Sequence, residues 1–216
     1  MARRQDGPET PGVNPYLEGH LRALGPAGLV LDLGCGRGDW MARMRKEGLT
    51  PVGIEPEQDR AKLALAFAPA AVADGQLLPF RDASIAVVWC IHVLHHLENP
   101  VAALAEIRRV LQPGGHLILA ETVEDNPVIR LGRRLHPEWD GVHVHSRFTA
   151  AALLDLLGDA GLHVIDQRQH SFVSFAAWLL PMGARRTWMA VRRLEDLLPR
   201  SAARWGAHLE CVARAG

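Results

Sequence analysis

Hydrophobic residues in this chain are concentrated in short continuous runs that are separated by segments with helical spacing. The two clearest runs lie at 29–33 and 84–90, and each contains at most one polar residue. Runs of this kind are typical of parallel strands that are covered on both faces. Weaker runs predict five further strands, at 51–55, 70–73, 116–121, 163–170 and 209–213.

Apolar residues at spacings of three and four predict helices between these strands. The predicted helices are 16–24, 39–47, 56–67, 100–111 and 150–160. Pro56 is expected in the first turn of the third helix, and Thr149 is expected to cap the last one. Because strands and helices alternate regularly, the sequence predicts an α/β fold built from βαβ units with right-handed crossovers.

The alternation stops after the fifth strand. Residues 122–147 are polar, with two prolines and clustered histidines, and are predicted to form a variable insertion on the acceptor side. Residues 175–198 combine an aromatic and aliphatic face with several arginines, which is typical of a helix packed on the sheet, a lid or a peripheral membrane helix. Residues 1–14 are predicted to be a disordered tail, so that 15–216 form a single domain.

The composition narrows the possible functions. The 216 residues carry no formal net charge, whereas nucleic-acid-binding domains usually leave a basic footprint. Three widely spaced cysteines make neither a disulfide framework nor a metal-binding CxxC pair, so a reducing cytoplasm is expected. The sequence contains no apolar run long enough for a transmembrane helix and no signal-peptide core.

The segment 31–39 (LDLGCGRGD) joins a strand to a helix through three alternating glycines, which let a ligand approach the main chain closely. Asp39 stands where a dinucleotide fingerprint has its third glycine, and Asp32 lies two residues before the first. Because two carboxylates would repel a pyrophosphate, the turn favours a ligand with a cationic end and no phosphate.

Four segments in order resemble the class I S-adenosylmethionine (SAM)-dependent methyltransferases, and in particular the type 11 group that includes ubiquinone and menaquinone C-methyltransferases. They are 30–38 (VLDLGCGRG), 52–56 (VGIEP), 73–80 (ADGQLLPF), and 93–97 (VLHHL) followed by 110–115 (VLQPGG). The resemblance extends over about 25–165. It implies a seven-stranded Rossmann-like sheet in the order 3-2-1-4-5-7-6 with the last strand antiparallel, SAM as the methyl donor, S-adenosylhomocysteine as the product, and no metal.

The resemblance also implies a set of cofactor-binding residues. They are Asp32, Gly34, Cys35, Gly36, Glu55, Pro56, Asp74, Gly75, Gln76 and Cys90. Asp32 suits the methionine ammonium group, Glu55 the ribose hydroxyls and Asp74 the adenine amino group.

Each of these acids also has a plainer interpretation. Asp32 could stabilise the turn, Glu55 could be a solvated acid at a helix start, and Asp74 could form an Asx turn before a glycine. Asp39 could be only a helix N-cap.

Removing a proton from the acceptor would require a base, and histidine suits neutral pH. His95 is the first candidate, since similar small-molecule methyltransferases place a histidine at that turn, and His92 is the second. Other choices are His96, His143 and His145, the last two of which could line an acceptor pocket with Trp139. These histidines could instead cap or pack the loop; a metal site is not expected.

The sequence thus predicts methyl transfer from SAM to a small, apolar or natural-product-like acceptor, by a monomer or homodimer. The main alternative is a non-catalytic, SAM-binding or regulatory subunit. A dinucleotide oxidoreductase is disfavoured by Asp39 and by the absence of GxGxxG. A nucleic-acid methyltransferase is disfavoured by the neutral charge and by residues 90–93 (CIHV), which replace the Asn/Asp-Pro-Pro-aromatic turn.

Overall fold

A computed structural model describes residues 15–25, 28–135, 144–171 and 204–216. The predicted tail at 1–14, the segment 175–198, Trp139 and His143 lie outside these ranges.

The described chain alternates strands and helices. The first half runs α1 (Pro15–Leu24), β1 (Leu29–Leu33), α2 (Asp39–Lys46), β2 (Thr50–Glu55), α3 (Gln58–Ala64), β3 (Ala70–Val72) and β4 (Ile85–Ile91). After a short 3-10 turn (Leu94–His96) come α4 (Pro100–Val110), β5 (Leu111–Thr122), α5 (Pro127–Leu135), α6 (Ala150–Asp159), β6 (Leu162–His170) and β7 (His208–Ala215).

The seven strands form one sheet in the order β3-β2-β1-β4-β5-β7-β6. Strands β1 to β5 are parallel to one another, and β7 is antiparallel to both of its neighbours. The predicted α/β fold, strand order and antiparallel last strand are confirmed. The order reverses between β1 and β4, and ligands of such sheets bind at the carboxyl ends of the strands beside this point.

The sheet is covered on both faces, as the apolar runs predict. In β4, Val88 and Cys90 pack into a core with α4 and α6, whereas Val87 and Trp89 pack with α1 on the opposite face. This alternation follows from the two-residue period of a strand, which buries both sets of side chains when helices lie on both faces.

Three local predictions were wrong. Helix α3 begins at Gln58, so Pro56 is not in its first turn. Helix α5 lies inside the polar segment 122–147, in which the sequence predicted no helix. Strand β5 begins at Leu111, before the Pro113-Gly114-Gly115 turn signal, because Leu111 pairs with Ile85 and regular pairing resumes at His116 after a bulge.

The cap of α6 agrees with prediction, since the Thr149 side chain accepts a hydrogen bond from Ala152 N. None of the helices in the described ranges is long and apolar enough to span a membrane.

Candidate functional site

The glycine turn leaves β1 with its main chain uncovered. Gly34 and Gly36 have φ of +71° and +54°, a left-handed conformation that favours glycine. The N–H groups of Gly34 and Cys35 donate to Ile54 O at 2.8 and 3.0 Å, which anchors the turn to β2. A Cβ at Gly34 would lie 2.6 Å from Val93 Cγ2, whereas a Cβ at Gly36 would meet no atom within 4 Å. Open space therefore lies over Gly36, where a ligand can reach the main chain.

Glu55 connects the end of β2 to this turn. Its Oε2 accepts from Gly36 N at 2.9 Å, and its Oε1 accepts from Glu57 N at 3.1 Å. The residue is 6% exposed, which does not fit the alternative of a solvated acid. Since a carboxylate oxygen can accept more than one hydrogen bond, each oxygen keeps capacity for a ribose hydroxyl.

Asp32 lies two residues before the glycine turn, in β1. It is 2% exposed, and its Oδ2 has no hydrogen-bond partner among the described residues. Burial, reinforced by the negative charges of Glu55 and Asp39, raises the pKa of Asp32 to about 8. An unsatisfied buried carboxyl costs about 1–3 kcal/mol, a cost that a cationic ligand group would relieve.

Asp39 does not cap α2. The N-cap is Gly38, and Asp39 is the first helical residue. The capping interpretation is therefore wrong. The glycine turn extends to Gly38, whose φ is +89°, and the helix begins directly after it. The sequence did not show that the turn ends at this residue.

Asp74 forms the Asx turn that was considered as an alternative. Its Oδ1 accepts from Gln76 N at 2.9 Å, and both carboxylate oxygens accept from Gln76 Nε2 at 3.1 Å. Gln76 Oε1 in turn accepts from Asn99 N at 2.8 Å. Gly75 is buried with its Cα facing Leu33 and Leu97. Because Asp74 is exposed, its carboxylate keeps lone pairs that an amino group could reach.

The remaining predicted cofactor residues differ in accessibility. Cys35 and Cys90 have their thiols in the hydrophobic core, and burial raises the pKa of Cys35 to about 12 and that of Cys90 well above its ordinary value. Contact with a ligand by these two residues would therefore be through their main chains. Pro56 is exposed just beyond β2.

His95 lies in the short 3-10 turn after β4, beside the switch point. Its Nδ1 is 2.6 Å from Glu121 Oε2, and Glu121 Oε1 accepts from Leu94 N at 2.7 Å. Glu121 is 0% exposed, whereas the His95 side chain is 17% exposed. The main-chain oxygen of His95 accepts from the N–H groups of His145 and Ser146 at 2.8 and 3.1 Å, so the segment after the insertion is attached to this turn.

His92 follows β4 in a strained backbone conformation, with φ of +56°. Its N–H donates to Ala120 O at 2.8 Å, which ties the turn to β5. Its ring centroid lies 6.3 Å from that of His95 and 5.4 Å from that of His208. The His208 centroid is in turn 5.4 Å from that of His170. Four partly exposed imidazoles thus line the carboxyl ends of β4 and β6 and the start of β7.

Two carboxylates beside these histidines were missed by the sequence analysis. Glu121 binds His95, and Glu210 Oε1 lies 2.8 Å from His170 Nε2. The sequence held one signal for Glu121, since it is an acid at the carboxyl end of the apolar run of β5. No grouping of three or more His, Cys, Asp or Glu in the described ranges could hold a metal ion.

Comparison with known proteins agrees with the family resemblance found in the sequence. Residues 31–119 match the family model described as a methyltransferase domain, of type 11. A 2-methyl-6-phytyl-1,4-hydroquinone methyltransferase of Synechocystis sp. is 34% identical over 110 residues, covering 48% of this chain and 35% of the relative. A 27-O-demethylrifamycin SV methyltransferase of Amycolatopsis mediterranei is 35% identical over 105 residues, covering 43% of this chain and 38% of the relative.

The same fold occurs in the crystal structure of a SAM-dependent methyltransferase from Mesorhizobium loti. The TM-score is 0.67 at 19% identity, with 93% of this chain and 96% of the other covered. The chain spans between about a third and two fifths of the length of these two relatives.

Proposed function

We propose, from the premise that this chain belongs to the type 11 group of class I SAM-dependent methyltransferases, that it transfers a methyl group from SAM to a small, apolar or natural-product-like acceptor. One observation carries the proposal. Acids suited to the two ends of SAM and a histidine–carboxylate pair lie at the carboxyl ends of neighbouring strands of one sheet, beside its switch point.

The residues fit the cofactor in three places. The unsatisfied Asp32 oxygen suits the ammonium group, and the lone pairs of Glu55 suit the ribose hydroxyls. The open space over Gly36 admits the ligand to the turn between them. The segment after β3 suits the adenine ring, through Asp74, Gly75 and Gln76. SAM supplies an electrophilic methyl group, so the protein's main task is to position the acceptor.

Small acceptors are favoured by the neutral charge of the chain and by the names of two of its relatives. One relative is named for a phytyl hydroquinone, which is a hydrophobic quinol. Another is named for a rifamycin, which is a natural product. The acceptor atom is not fixed by the fold, which supports many chemistries.

The cofactor assignment is tested by isothermal titration with SAM, S-adenosylhomocysteine and NAD. Binding of the first two, and not of NAD, is expected. Glu55→Gln should weaken SAM binding by roughly 1–3 kcal/mol, because an amide cannot replace both acceptor oxygens. Glu57→Gln is the matched control, since Glu57 is an exposed neighbour and its substitution should leave affinity unchanged. Saturation by NAD alone would refute the assignment.

The second candidate is a non-catalytic SAM-binding subunit. It is compatible with the acids that suit SAM, because the names of the relatives do not fix an acceptor for this chain. Single-turnover conversion of SAM in the presence of hydroquinone separates the two functions. Product formation supports the enzyme, and binding of SAM without conversion across a panel of quinols and phenols supports the subunit.

A further inference from the structure

The two edges of the described sheet differ in how they are protected. Strand β6 lies at one edge and β3 at the other. Strand β6 carries Asp166 and Arg168, and its register with β7 shifts between Val164 and Asp166. Helix α1 packs over it, with His20 Nε2 2.9 Å from Asp166 Oδ2 and the Arg168 guanidinium carbon 4.2 Å from the centre of the Tyr16 ring. Charges, a bulge and a covering helix are the usual protections of an edge strand against pairing with another strand.

Strand β3 has neither the charges nor the bulge. Its register with β2 is regular, and β2 is its neighbour in the described sheet. The segment that contains it, residues 63–73 (LALAFAPAAVA), has no polar or charged side chain. Ala71 and Val72 are exposed, and the main-chain groups that point away from β2 have no strand partner in the described part of the chain. An edge of this kind is a template for the addition of another strand.

An apolar surface continues from this edge onto the end of α3. Ala64 and Ala68 belong to a small buried cluster against which Ala70 of β3 packs, so the end of α3 and the edge strand are joined. Large side chains of the same segment are exposed over 37–56% of their surfaces, and they are Leu63, Leu65, Phe67 and Val72. Apolar side chains that are exposed singly are normal, whereas a group of this size marks an interaction surface.

We propose that β3 pairs with β3 of a second copy of this chain, antiparallel across a twofold axis, so that two sheets join into one. A twofold axis perpendicular to the sheet makes an edge strand antiparallel to its own copy and places the apolar segment 63–73 against itself. One surface of the chain therefore supplies both sides of the interface. The proposal goes beyond the proposed function and does not rest on it.

Charge favours a second copy as the occupant of this edge. The segment 63–73 is uncharged, and the whole chain has a formal net charge of zero. Two copies therefore approach each other without net repulsion, whereas a large net charge would keep them apart. A strongly charged partner would find no opposite charge on this segment.

The size of the surface sets the expected strength of the dimer. The exposed apolar side chains amount to on the order of 400 Å² per copy, which is within the range of functional patches on monomers. With the paired main chains, two copies bury about 1,000 Å² in total, the lower limit of a specific interface. The dimer is therefore expected to form and dissociate reversibly at micromolar concentrations.

Sedimentation velocity of the full chain, over a series of micromolar concentrations, tests the proposal. The wild type is expected to change reversibly from monomer to dimer. Val72→Lys should raise the dimer Kd at least tenfold, because like charges would meet across the twofold axis. Ile165→Lys is the matched control and should leave the Kd within twofold, since Ile165 is 56% exposed on the opposite edge strand, compared with 54% for Val72. Circular dichroism checks that both variants fold.

Hydrogen exchange of the wild type locates the interface without any substitution. The main-chain amides of 70–72 should exchange more slowly at high than at low protein concentration, and those of β6 should not change. A wild type that stays monomeric overturns the proposal, also where the edge instead takes up a strand of a different protein. A dimer whose 70–72 amides exchange as fast as those of the monomer would be formed elsewhere and overturns it as well.

Discussion

At the residue scale, the buried acids Asp32 and Glu55 lie at the strand ends where we propose that the cofactor binds. Both Asp32 and Glu55 are buried, but in the described part of the chain both Glu55 oxygens accept hydrogen bonds, whereas Asp32 Oδ2 has no partner. Burial disfavours the charged form of the carboxyl group and, together with the negative charges of Glu55 and Asp39, raises the pKa of Asp32 to about 8. The buried acid is therefore mostly protonated at neutral pH until a cation approaches it.

This state of Asp32 makes SAM binding depend on pH. If the ammonium group of SAM favours the ionised carboxyl, binding at pH 7 releases up to one proton, and affinity rises between about pH 6 and 7.5. Titration calorimetry in buffers of different ionisation enthalpy measures the released proton. In Asp32→Asn the release should disappear and the affinity should become flat over this range. Equal proton release from both proteins would show that Asp32 is not the group that titrates.

At the element scale, the two glycines of the turn after β1 have different roles. Gly34 leaves room for Val93 from the turn after β4, and Gly36 leaves room above the turn. Both residues have positive φ, so any other residue would be strained in either place. A Cβ would therefore meet Val93 at Gly34 and no atom within 4 Å at Gly36.

Alanine at these two glycines should therefore have different effects. Both Gly34→Ala and Gly36→Ala carry the cost of a left-handed residue, roughly 1–2 kcal/mol. Gly34→Ala adds a clash at 2.6 Å from Val93 Cγ2 and should lower the free energy of unfolding further. Gly36→Ala should retain more stability and lose SAM affinity, because its Cβ enters the ligand space. Urea denaturation and titration calorimetry measure the two effects; equal losses of stability would contradict this separation.

At the scale of the whole molecule, the last strand connects β6 to the rest of the sheet. Strand β7 lies between β5 and β6, antiparallel to both, and places His208 beside His92 after β4 and Glu210 beside His170 at the end of β6. Burial opposes ionisation of Glu210, but hydrogen bonds and charges from His170 and Arg168 prevail and lower its pKa to about 2. Arg168 Nε donates to Glu210 at 2.6 Å.

This pairing makes Glu210 a source of stability at neutral pH that is lost in acid. Because its pKa is lower in the folded state than in the unfolded state, its contribution is complete above about pH 4.5 and is lost as the pH falls towards 2, to a total of about 3 kcal/mol. Asp32 acts in the opposite direction, since a raised pKa lowers stability as the pH rises towards 8. Denaturation at several pH values should show a smaller acid loss in Glu210→Gln than in the wild type. Parallel curves would exclude this role.

The sequence by itself determined the α/β class, the strand order through its family resemblance, and the turns that carry Asp32, Glu55 and His95. These features depend on local patterns, since apolar runs of strand length and glycines at fixed spacing act through neighbouring residues. Helix α5 lies in a polar segment and was not predicted, and the start of β5 was placed too late because the Pro113-Gly114-Gly115 turn signal lies within the strand.

Only the tertiary structure decided which acids and histidines meet. Glu121 and His95 are 26 residues apart, and His170 and Glu210 are 40 apart, so their contacts arise from the packing of β4, β5, β6 and β7. Burial likewise belongs to the folded molecule, and it distinguishes Asp32, with its raised pKa, from the exposed Asp74. The sequence names the groups, whereas their protonation and their partners follow from the distances and desolvation that folding imposes.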